Sequence, residues 1–506
     1  MNAQEVHILL WLGIGFGMTL AGCISARIIS DVRNATGLLI DAIVPTVVFI
    51  VLASLTTRPI FSGLMCLVLG IGYGLANHSK KKVLREPIVF TDIYQAIDVF
   101  RHPKLALPFP KVGPILCGAV AIGAILAGLF SLEASLWSFR IFHLPIVGGV
   151  LYGLGQAANS FLRPRIVKAL YKMKPSGDLE VDTKIFGPFG ILLAYGLLAS
   201  AERDWRRERL LPATPLSMAP HKGSELGHVV LVQSESFFDP RCIKGIDLKL
   251  LPNWDSCISA GAQWGRLSVP SWGANTVRTE FSILTGIDQK DLGYDRFNPY
   301  HRFARKPVTS LASALKQKGY RTICVHPFDK RFYGRNIVLP QLGFDEFIDE
   351  SAFISPQLDN GFISDADVSR LIADMLTGSA QPIFLFVITM ENHGPWPIQC
   401  PGLEIKRTRN LSLTTESRIA FEQYLQCLEK ADTMLGVVRE AMQKSLVPGT
   451  LGFYGDHLPA LASTFKQLNH SDPRSDYLIL PIGGPARTKK DLTTKELHYD
   501  FLKILA

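Results

Sequence analysis

The fold is decided by a short stretch near the C-terminus, Leu451-Gly452-Phe453-Tyr454-Gly455-Asp456-His457. An apolar run ends here in an acid–histidine pair, which is the pattern of a buried strand whose last residues leave the sheet. Ligands bind at the carboxyl ends of strands in open α/β sheets, and carboxylate and imidazole groups both coordinate divalent cations. The stretch therefore predicts one edge of a metal site on such a sheet.

Two similar positions lie upstream in the chain. The apolar run Val229–Gln233 leads into Glu235, and Gly273 and Asn275 precede Thr276 at the start of a helix-like stretch. A carboxylate at the end of a buried strand is costly unless it is paired or bound to a metal. A helix that begins near Thr276 would direct its backbone N–H groups at an anion. Together with the Asp-His pair, these residues predict a metal-assisted group-transfer site.

Each of these residues also has a purely structural interpretation. Glu235 could be a loop acid or a helix cap, and a lone threonine such as Thr276 more often caps a helix than reacts. His326 and His393 also follow strand-like runs, and any single histidine is more often structural than catalytic. Polar groups at the ends of several strands nevertheless make coincidence a weaker explanation than a shared site.

The C-terminal half alternates short β-branched runs with longer amphipathic stretches. Apolar residues recur at helical spacing in Val308–Lys318 and Arg418–Gln443. Strands that alternate with helices predict a mostly parallel sheet covered by helices on both faces. The predicted strands are Val229–Gln233, Thr322–Val325, Ile383–Thr389, Leu451–Tyr454 and Tyr477–Leu480.

The N-terminal part has a different composition, and it concentrates the apolar residues of a chain that is 47% hydrophobic. Runs near the length of a membrane span, about 20 residues, are Ile8–Ala26, Leu38–Leu55, Ile60–Ala76, Val112–Leu132 and the shorter Ile185–Ala201. We interpret the weaker run Leu144–Phe161 as a re-entrant or interfacial helix. These patterns predict a transmembrane domain of about five spans at 1–201, a Pro-punctuated linker at 202–227 and a catalytic domain at 228–506.

The formal net charge of +9 does not indicate a nucleic-acid partner. The basic residues cluster beside the apolar runs, as at Lys80–Lys82 and Arg206–Arg207, where they would contact anionic lipid headgroups. We therefore expect no nucleic-acid binding. The basic cluster after the third span and the cluster between Arg163 and Lys174 favour opposite orientations, so charge leaves the topology open.

Five short motifs in this order resemble those of lipoteichoic acid synthases and bacterial phosphoglycerol transferases, which belong to the alkaline phosphatase/sulfatase superfamily. The motifs are Ser234-Glu235-Ser236-Phe237, Asn275-Thr276 with Thr279-Glu280-Phe281, His326 with Phe332-Tyr333-Gly334-Arg335-Asn336, Glu391-Asn392-His393-Gly394-Pro395, and Gly455-Asp456-His457. The resemblance covers the chain from about His228 to the C-terminus, and a multi-span N-terminal anchor is also typical of that family.

The resemblance implies one divalent metal, Mn²⁺ or Mg²⁺ rather than Zn²⁺. The implied ligands are Glu235, Thr276, Asp456 and His457. The implied contacts to the phosphate and glycerol of the substrate are His326, Arg335 and His393. Thr276 would also be the nucleophile, and His393 would assist proton transfer. The family places this domain outside the cytoplasmic membrane of bacteria, so the resemblance implies a multi-pass inner-membrane protein with a periplasmic or extracellular catalytic domain.

The implied reaction transfers glycerophosphate from a phosphatidylglycerol-type lipid to a cell-envelope glycan or polyglycerolphosphate acceptor, through a threonine-linked intermediate. Two departures from lipoteichoic acid synthases concern the acceptor. Val277 and Arg278 follow Thr276 where those enzymes tend to have small and acidic residues, and Tyr333 replaces a tryptophan. The chain therefore resembles more closely the Gram-negative branch that modifies periplasmic glucans or surface polysaccharides.

Alternative functions stay open at this point. Phosphoethanolamine transferases and other phosphodiester hydrolases belong to the same superfamily, although the transferases usually have histidine-rich zinc sites and disulfide-bonded exported domains, and neither is evident in this sequence. The chain has no Cys-x-Pro-x-Arg or Ser-x-Pro-x-Arg stretch, which argues against a true sulfatase. A membrane scaffold or sensor that keeps the fold without the reaction is disfavoured because the nucleophile and all four ligand candidates are present.

Overall fold

The computed structural model describes residues 3–32, 37–102, 112–136, 143–211, 226–359, 361–396, 400, 402–445 and 449–505. The chain divides into two compact units, residues 1–202 and 203–506. Most of the predicted linker, at 212–225, lies outside the described residues, so the linker stays a prediction.

The helices of the N-terminal part are Ala3–Ile29, Leu38–Thr56, Pro59–Leu84, Asp92–Arg101, Val112–Leu132, His143–Ala157, Arg163–Lys172, Leu179–Phe186 and Gly190–Leu210, with a π-helical turn at Ala158–Leu162. Within the described residues, three of these helices are long and apolar enough to cross a membrane, at Glu5–Ile29, Leu38–Thr56 and Pro59–Leu84. They coincide with the first three predicted spans.

The last predicted span differs from the structure. The helices Leu179–Phe186 and Gly190–Leu210 are apolar and long enough for a span only when taken together, and they meet at 115°. The predicted span Ile185–Ala201 therefore contains a break that its apolar composition does not reveal. The predicted span Val112–Leu132 coincides with a helix of 21 residues over the same range. The total of about five spans stays a prediction.

Asp41 contacts the break between the helices Leu179–Phe186 and Gly190–Leu210. It is fully buried within the helix Leu38–Thr56, and its Oδ2 lies 3.0 Å from Arg27 Nη1. Its Oδ1 accepts hydrogen bonds from the backbone N–H groups of Phe189 at 2.7 Å and Gly190 at 2.9 Å, at the start of the next helix. An acid buried among apolar helices needs such partners, so Asp41 joins three helices of the N-terminal unit.

The second unit contains a mostly parallel sheet. Its strands are β1 Val229–Ser234, β2 Gln263–Ser268, β3 Arg321–Val325, β4 Glu346–Ile348, β7 Ile383–Ile388, β8 Thr450–Gly455, β9 Ser475–Pro481 and β10 Leu492–Thr493, with a separate pair formed by β5 Leu358–Asp359 and β6 Phe362–Ile363. The order is β10-β2-β9-β8-β1-β7-β3-β4. Only β9 runs antiparallel to its neighbours β8 and β2. All five predicted strands are present.

Helices cover both faces of this sheet, as predicted. They are Pro252–Ser259, Val277–Thr285, Leu311–Gln317, Arg335–Gln341, Asp365–Gly378, Thr415–Lys444, Ala462–Gln467 and Thr494–Leu505. In β1, Val230 and Val232 join one buried apolar cluster while Val229 and Leu231 join the other. A strand buried on both faces reads as a continuous apolar run, which is why the sequence signal for β1 is strong.

Local capping sets the ends of the two helices predicted from apolar spacing. The helix predicted at Val308–Lys318 begins at Leu311, because Ser310 and Ser313 form a reciprocal capping box. The helix predicted at Arg418–Gln443 begins three residues earlier, where the Thr414 side chain accepts from the backbone of Ser417 at 3.4 Å.

Candidate active site

Four neighbouring parallel strands end at one edge of the sheet. In the order β8-β1-β7-β3, their carboxyl ends lead directly into Asp456, Glu235, Thr389 and His326. Because these strands are parallel to one another, residues 63 to 221 positions apart in the chain become neighbours. This edge is the place where ligands bind in open α/β sheets.

Three buried side chains on this edge form a cluster suited to a cation. Glu235, Asp456 and His457 each offer one ligand atom, and these atoms lie within 4.8 Å of one another. His457 Nε2 lies 3.2 Å from Asp456 Oδ2 and 3.7 Å from Glu235 Oε1. Two carboxylates and an imidazole match the donor preferences of Mn²⁺, Mg²⁺ and Zn²⁺.

The hydrogen bonds around the cluster leave the lone pairs of Asp456 Oδ2 and His457 Nε2 facing each other. His457 Nδ1 lies 3.0 Å from the Leu458 carbonyl oxygen, which can only accept, so Nδ1 carries the proton and Nε2 presents its lone pair. Asp456 Oδ1 accepts from the backbone N–H groups of Ser236 and His457, both at 2.9 Å. Asp456 Oδ2 is buried without a hydrogen bond. A cation between these two facing acceptors would offset their repulsion.

The charges within the cluster also indicate a cation site. Burial and the neighbouring charge of Asp456 raise the pKa of Glu235 to about 8. Both carboxylates are almost fully buried, so neither is screened by solvent. A divalent cation bound at this position would offset their repulsion, and the cluster therefore fits the metal that the family motifs imply.

Thr276 stands beside this cluster at the start of the helix Val277–Thr285. It occupies the capping position with φ −39° and ψ −41°, and its side chain makes no capping hydrogen bond. Thr279 Oγ1 donates to the Asp456 carbonyl oxygen at 2.7 Å, and the Gly273 backbone N–H donates to the Leu458 carbonyl at 3.1 Å. These bonds tie the threonine turn to the Asp-His segment and leave the Thr276 hydroxyl available for chemistry.

Arg335 is buried opposite the acid cluster and is held by Glu280. Its Nε and Nη2 donate to the two Glu280 carboxylate oxygens at 3.1 and 2.7 Å, and Nη1 donates to His326 Nε2 at 3.2 Å. His326 Nδ1 in turn faces the Ile388 carbonyl at 3.2 Å. A guanidinium has five N–H groups, so two remain after these three bonds.

The two histidines of the site are neutral for a common reason. Burial lowers the pKa of His393, and burial together with the Arg335 charge lowers the pKa of His326 well below its usual range. His393 lies in the segment after β7, where its ring packs 5.4 Å from that of Phe362. A neutral imidazole can accept a proton, which is the property needed in a general base.

One small cavity joins these parts. Its lining residues are Glu235, Ala274, Thr276, His326, Phe332, Tyr333, Arg335, Ile388, Met390 and His393. The cavity thus contains five of the seven residues singled out from the sequence, and the remaining two, Asp456 and His457, join it through their cluster with Glu235. The structure brings all seven together, while their individual roles stay predictions.

Sequence reasoning missed a carboxyl pair beside this cavity. Asp365 is fully buried and neither of its carboxylate oxygens has a hydrogen bond. Its backbone N–H donates to Glu391 Oε2 at 2.5 Å, and Lys430 Nζ donates to Glu391 Oε1 at 2.8 Å. Burial and the Glu391 charge raise the pKa of Asp365 well above its usual range. In the sequence, Asp365 looks like an ordinary acid in the first turn of a helix.

Comparisons with known proteins agree with this architecture. The family model described as Sulfatase matches residues 227–505. The capsular polysaccharide biosynthesis protein RkpI of Rhizobium meliloti is 30% identical over 451 residues, which cover 85% of this chain and 78% of RkpI. A lipoteichoic acid synthase of Staphylococcus saprophyticus is 26% identical over 175 residues, 34% of this chain and 26% of that protein.

A solved membrane protein shares the fold along nearly the whole chain. It is the lipooligosaccharide phosphoethanolamine transferase A of Neisseria meningitidis, which is 16% identical with a TM-score of 0.55. The likeness covers 97% of this chain and 95% of that protein. Helical apolar segments followed by a sulfatase-like α/β domain are therefore an arrangement known from a membrane enzyme.

Proposed function

The chain belongs to the sulfatase family, and from this premise we propose that it is a membrane-bound phosphoglycerol transferase. Its donor is a phosphatidylglycerol-type lipid, and its acceptor is a cell-envelope glycan or polyglycerolphosphate. The observation that carries the proposal is the position of Thr276. Its hydroxyl makes no capping bond and shares one cavity with Glu235 of the acid cluster and with Arg335, as a nucleophile for a phosphodiester requires.

The reaction then has two steps. The Thr276 oxygen forms a bond to phosphorus while the bond from phosphorus to the diacylglycerol oxygen breaks, and the proton of the Thr276 hydroxyl leaves with diacylglycerol. A hydroxyl oxygen of the acceptor next forms a bond to phosphorus while the bond from phosphorus to the Thr276 oxygen breaks, and Thr276 recovers the proton that the acceptor hydroxyl gives up. His393, which is neutral because burial lowers its pKa, takes the proton of that hydroxyl.

The acid cluster would hold the metal of this reaction. Glu235, Asp456 and His457 supply the buried donors, and Thr276 completes the set. A bound Mn²⁺ or Mg²⁺ would offset the negative charge of the phosphate and lower the pKa of the threonine hydroxyl. The donor set itself is held by the protein, since Asp456 is fixed by two backbone N–H groups.

The arginine side would bind the phosphate oxygens. Glu280 and His326 occupy three of the five N–H groups of Arg335, which fixes the plane of the guanidinium before substrate arrives. The two remaining N–H groups supply charge-assisted donors to an anion in the same cavity. His326 acts as a support in this arrangement, because both of its ring nitrogens already have partners.

The helices and the relatives support a proposal for the cellular setting. Three or four helices can cross a membrane by length and composition, and we propose a multi-pass protein of the bacterial inner membrane with its catalytic unit outside the cytoplasm. The relative RkpI is named for capsular polysaccharide biosynthesis, which supports a surface polysaccharide as acceptor. Protease accessibility of the C-terminal unit in spheroplasts tests this orientation, and protection of that unit would contradict it.

Mass spectrometry tests the proposed intermediate. Full-length protein isolated from phosphatidylglycerol-containing membranes should carry a glycerophosphoryl adduct on the peptide that includes Thr276. The Thr276→Ser variant should also form the adduct, while Thr276→Ala should not. An unmodified Thr276 in protein that consumes the lipid would contradict the covalent mechanism.

A second candidate is phosphoethanolamine transfer, favoured by the fold shared with the Neisseria meningitidis enzyme over 97% of the chain. The same experiment separates the two. Membranes that contain both phosphatidylglycerol and phosphatidylethanolamine offer both headgroups at once, and the mass of the adduct on Thr276 identifies the one transferred.

A further inference from the structure

A second, apolar pocket adjoins the catalytic cavity. Its volume of about 360 Å³ falls in the usual range of small-molecule sites, roughly 300–1,000 Å³. Of its nine lining residues, eight have no polar side chain, and Glu350 is the exception. Its larger apolar side chains are those of Phe328, Phe353, Leu358, Phe362 and Ile363. These side chains can pack against an apolar group, and they offer a sugar no hydrogen-bonding partners.

Aromatic contacts join this pocket to the residues of the catalytic cavity. The ring of Phe328 lies 5.4 Å from that of Phe332, which lines the catalytic cavity. The ring of Phe362 lies 5.4 Å from that of His393 and 6.2 Å from that of Phe328. Side chains that line the two cavities are therefore in contact, which places the pocket next to the proposed phosphate position at Arg335 and Thr276.

The rim of the pocket is an apolar lip, which we define as residues 353–358. Within it, Ile354 is 93% exposed and Leu358 is 62% exposed, which is unfavourable for large aliphatic side chains in water. The lip is anchored, because the Gln357 backbone N–H donates to Asp367 Oδ2 at 2.7 Å. Exposed aliphatic groups on an anchored loop beside a site indicate contact with another apolar phase.

We infer that the apolar pocket binds the acyl-bearing part of the lipid donor and that the lip contacts the bilayer surface. This inference rests on the proposed function and specifies its donor subsite. The scissile phosphorus then lies in the catalytic cavity while the diacylglycerol leaving group extends into the pocket. The polar catalytic cavity thus binds the phosphoester of the lipid, and the neighbouring apolar pocket binds its acyl chains.

The test compares two donors with the full-length protein in lipid nanodiscs. One donor is long-chain phosphatidylglycerol, and the other is a soluble glycerophosphodiester with a nitrophenyl leaving group and no acyl chain. The double variant Ile354→Ser/Leu358→Ser should lower the ratio of kcat/KM for the lipid to kcat/KM for the soluble donor by about tenfold, chiefly through KM. Leu248→Ser is the matched control, since Leu248 is 73% exposed in another loop, and it should leave the ratio unchanged.

Photocrosslinking supplies a direct readout. Phosphatidylglycerol that carries a diazirine on an acyl chain should label the tryptic peptide 336–370, which contains the lip, and the label should decrease in the double variant. The inference is overturned if the ratio is unchanged, if both donors lose activity equally, or if the variant raises the KM of the acceptor instead. Wild-type protein that uses neither donor would refute the proposed function itself, and the inference with it.

Discussion

The acid side of the catalytic cavity and its arginine side both contain buried carboxylates and a histidine, yet only the arginine side has a cationic side chain to pair with them. On the arginine side, Arg335, Glu280 and His326 satisfy one another at 2.7–3.2 Å. On the acid side, Asp456 Oδ2 has no hydrogen bond and faces His457 Nε2 at 3.2 Å. The first cluster balances its own charge, and the second has an excess of acceptors that a bound cation would satisfy. A buried cluster of acceptors with no cation of its own is therefore the better indicator of a metal site.

The largest effect is expected where the two sides meet, at Thr276. Thr276→Ala should lower phosphatidylglycerol turnover by on the order of 10⁴-fold or more, as loss of a nucleophile does elsewhere. The thermal stability should stay nearly constant, because the hydroxyl makes no capping bond. Thr276→Ser should retain part of the turnover. If Thr276→Ala instead kept its activity and lost about 1 kcal/mol of stability, the threonine would be a helix cap.

The next largest effect tests the acid side. Asp456→Asn keeps an oxygen for the backbone N–H groups of Ser236 and His457 but removes one charge. We expect purified variant protein to contain much less Mn²⁺ or Mg²⁺ by elemental analysis and to lose at least about 100-fold in activity. Without metal, the variant should unfold at a higher temperature than metal-free wild type, because the repulsion with Glu235 is relieved. Normal metal content in Asp456→Asn would refute the assigned ligand set.

The arginine side should respond mainly in stability. Glu280→Gln leaves the buried Arg335 without a counter-charge, so we expect a loss of about 3–5 kcal/mol in the free energy of unfolding together with reduced activity. The double variant Glu280→Gln/Arg335→Met should recover most of the stability and none of the activity. Denaturant titration and lipid turnover measure the two quantities. A double variant as unstable as Glu280→Gln would show that the pair is not balanced internally.

The smallest effect concerns Asp365, a buried carboxyl group outside the metal cluster. Its pKa is raised in the folded state, so its contribution to stability is complete below the unfolded pKa and is lost as pH rises toward the folded pKa. Asp365→Asn, which resembles the protonated acid, should therefore become progressively more stable than wild type as pH rises above about 4. Thermal unfolding of both proteins across pH checks this difference, and a constant difference would contradict it.

The sequence by itself identified the strands that carry the site. Strands such as β1 and β8 are continuous apolar runs followed by polar residues, a signal that depends only on neighbours in the chain. The strand β2 escaped prediction because it alternates buried and half-buried residues and includes polar ones, Gln263 and Arg266. The break near Gly187 in the last apolar run also escaped, since hydropathy does not register a bend of 115°.

Only the tertiary structure decided which polar groups meet. The strand order β8-β1-β7-β3 places Asp456 beside Glu235, more than 200 residues earlier, and no local pattern encodes that order. It also revealed Glu280 as the partner of Arg335 and left the carboxylate oxygens of Asp365 buried without a hydrogen bond. Residue types and strand ends are properties of short segments, whereas pairing, burial and the need for a cation depend on distances set by packing across the sheet.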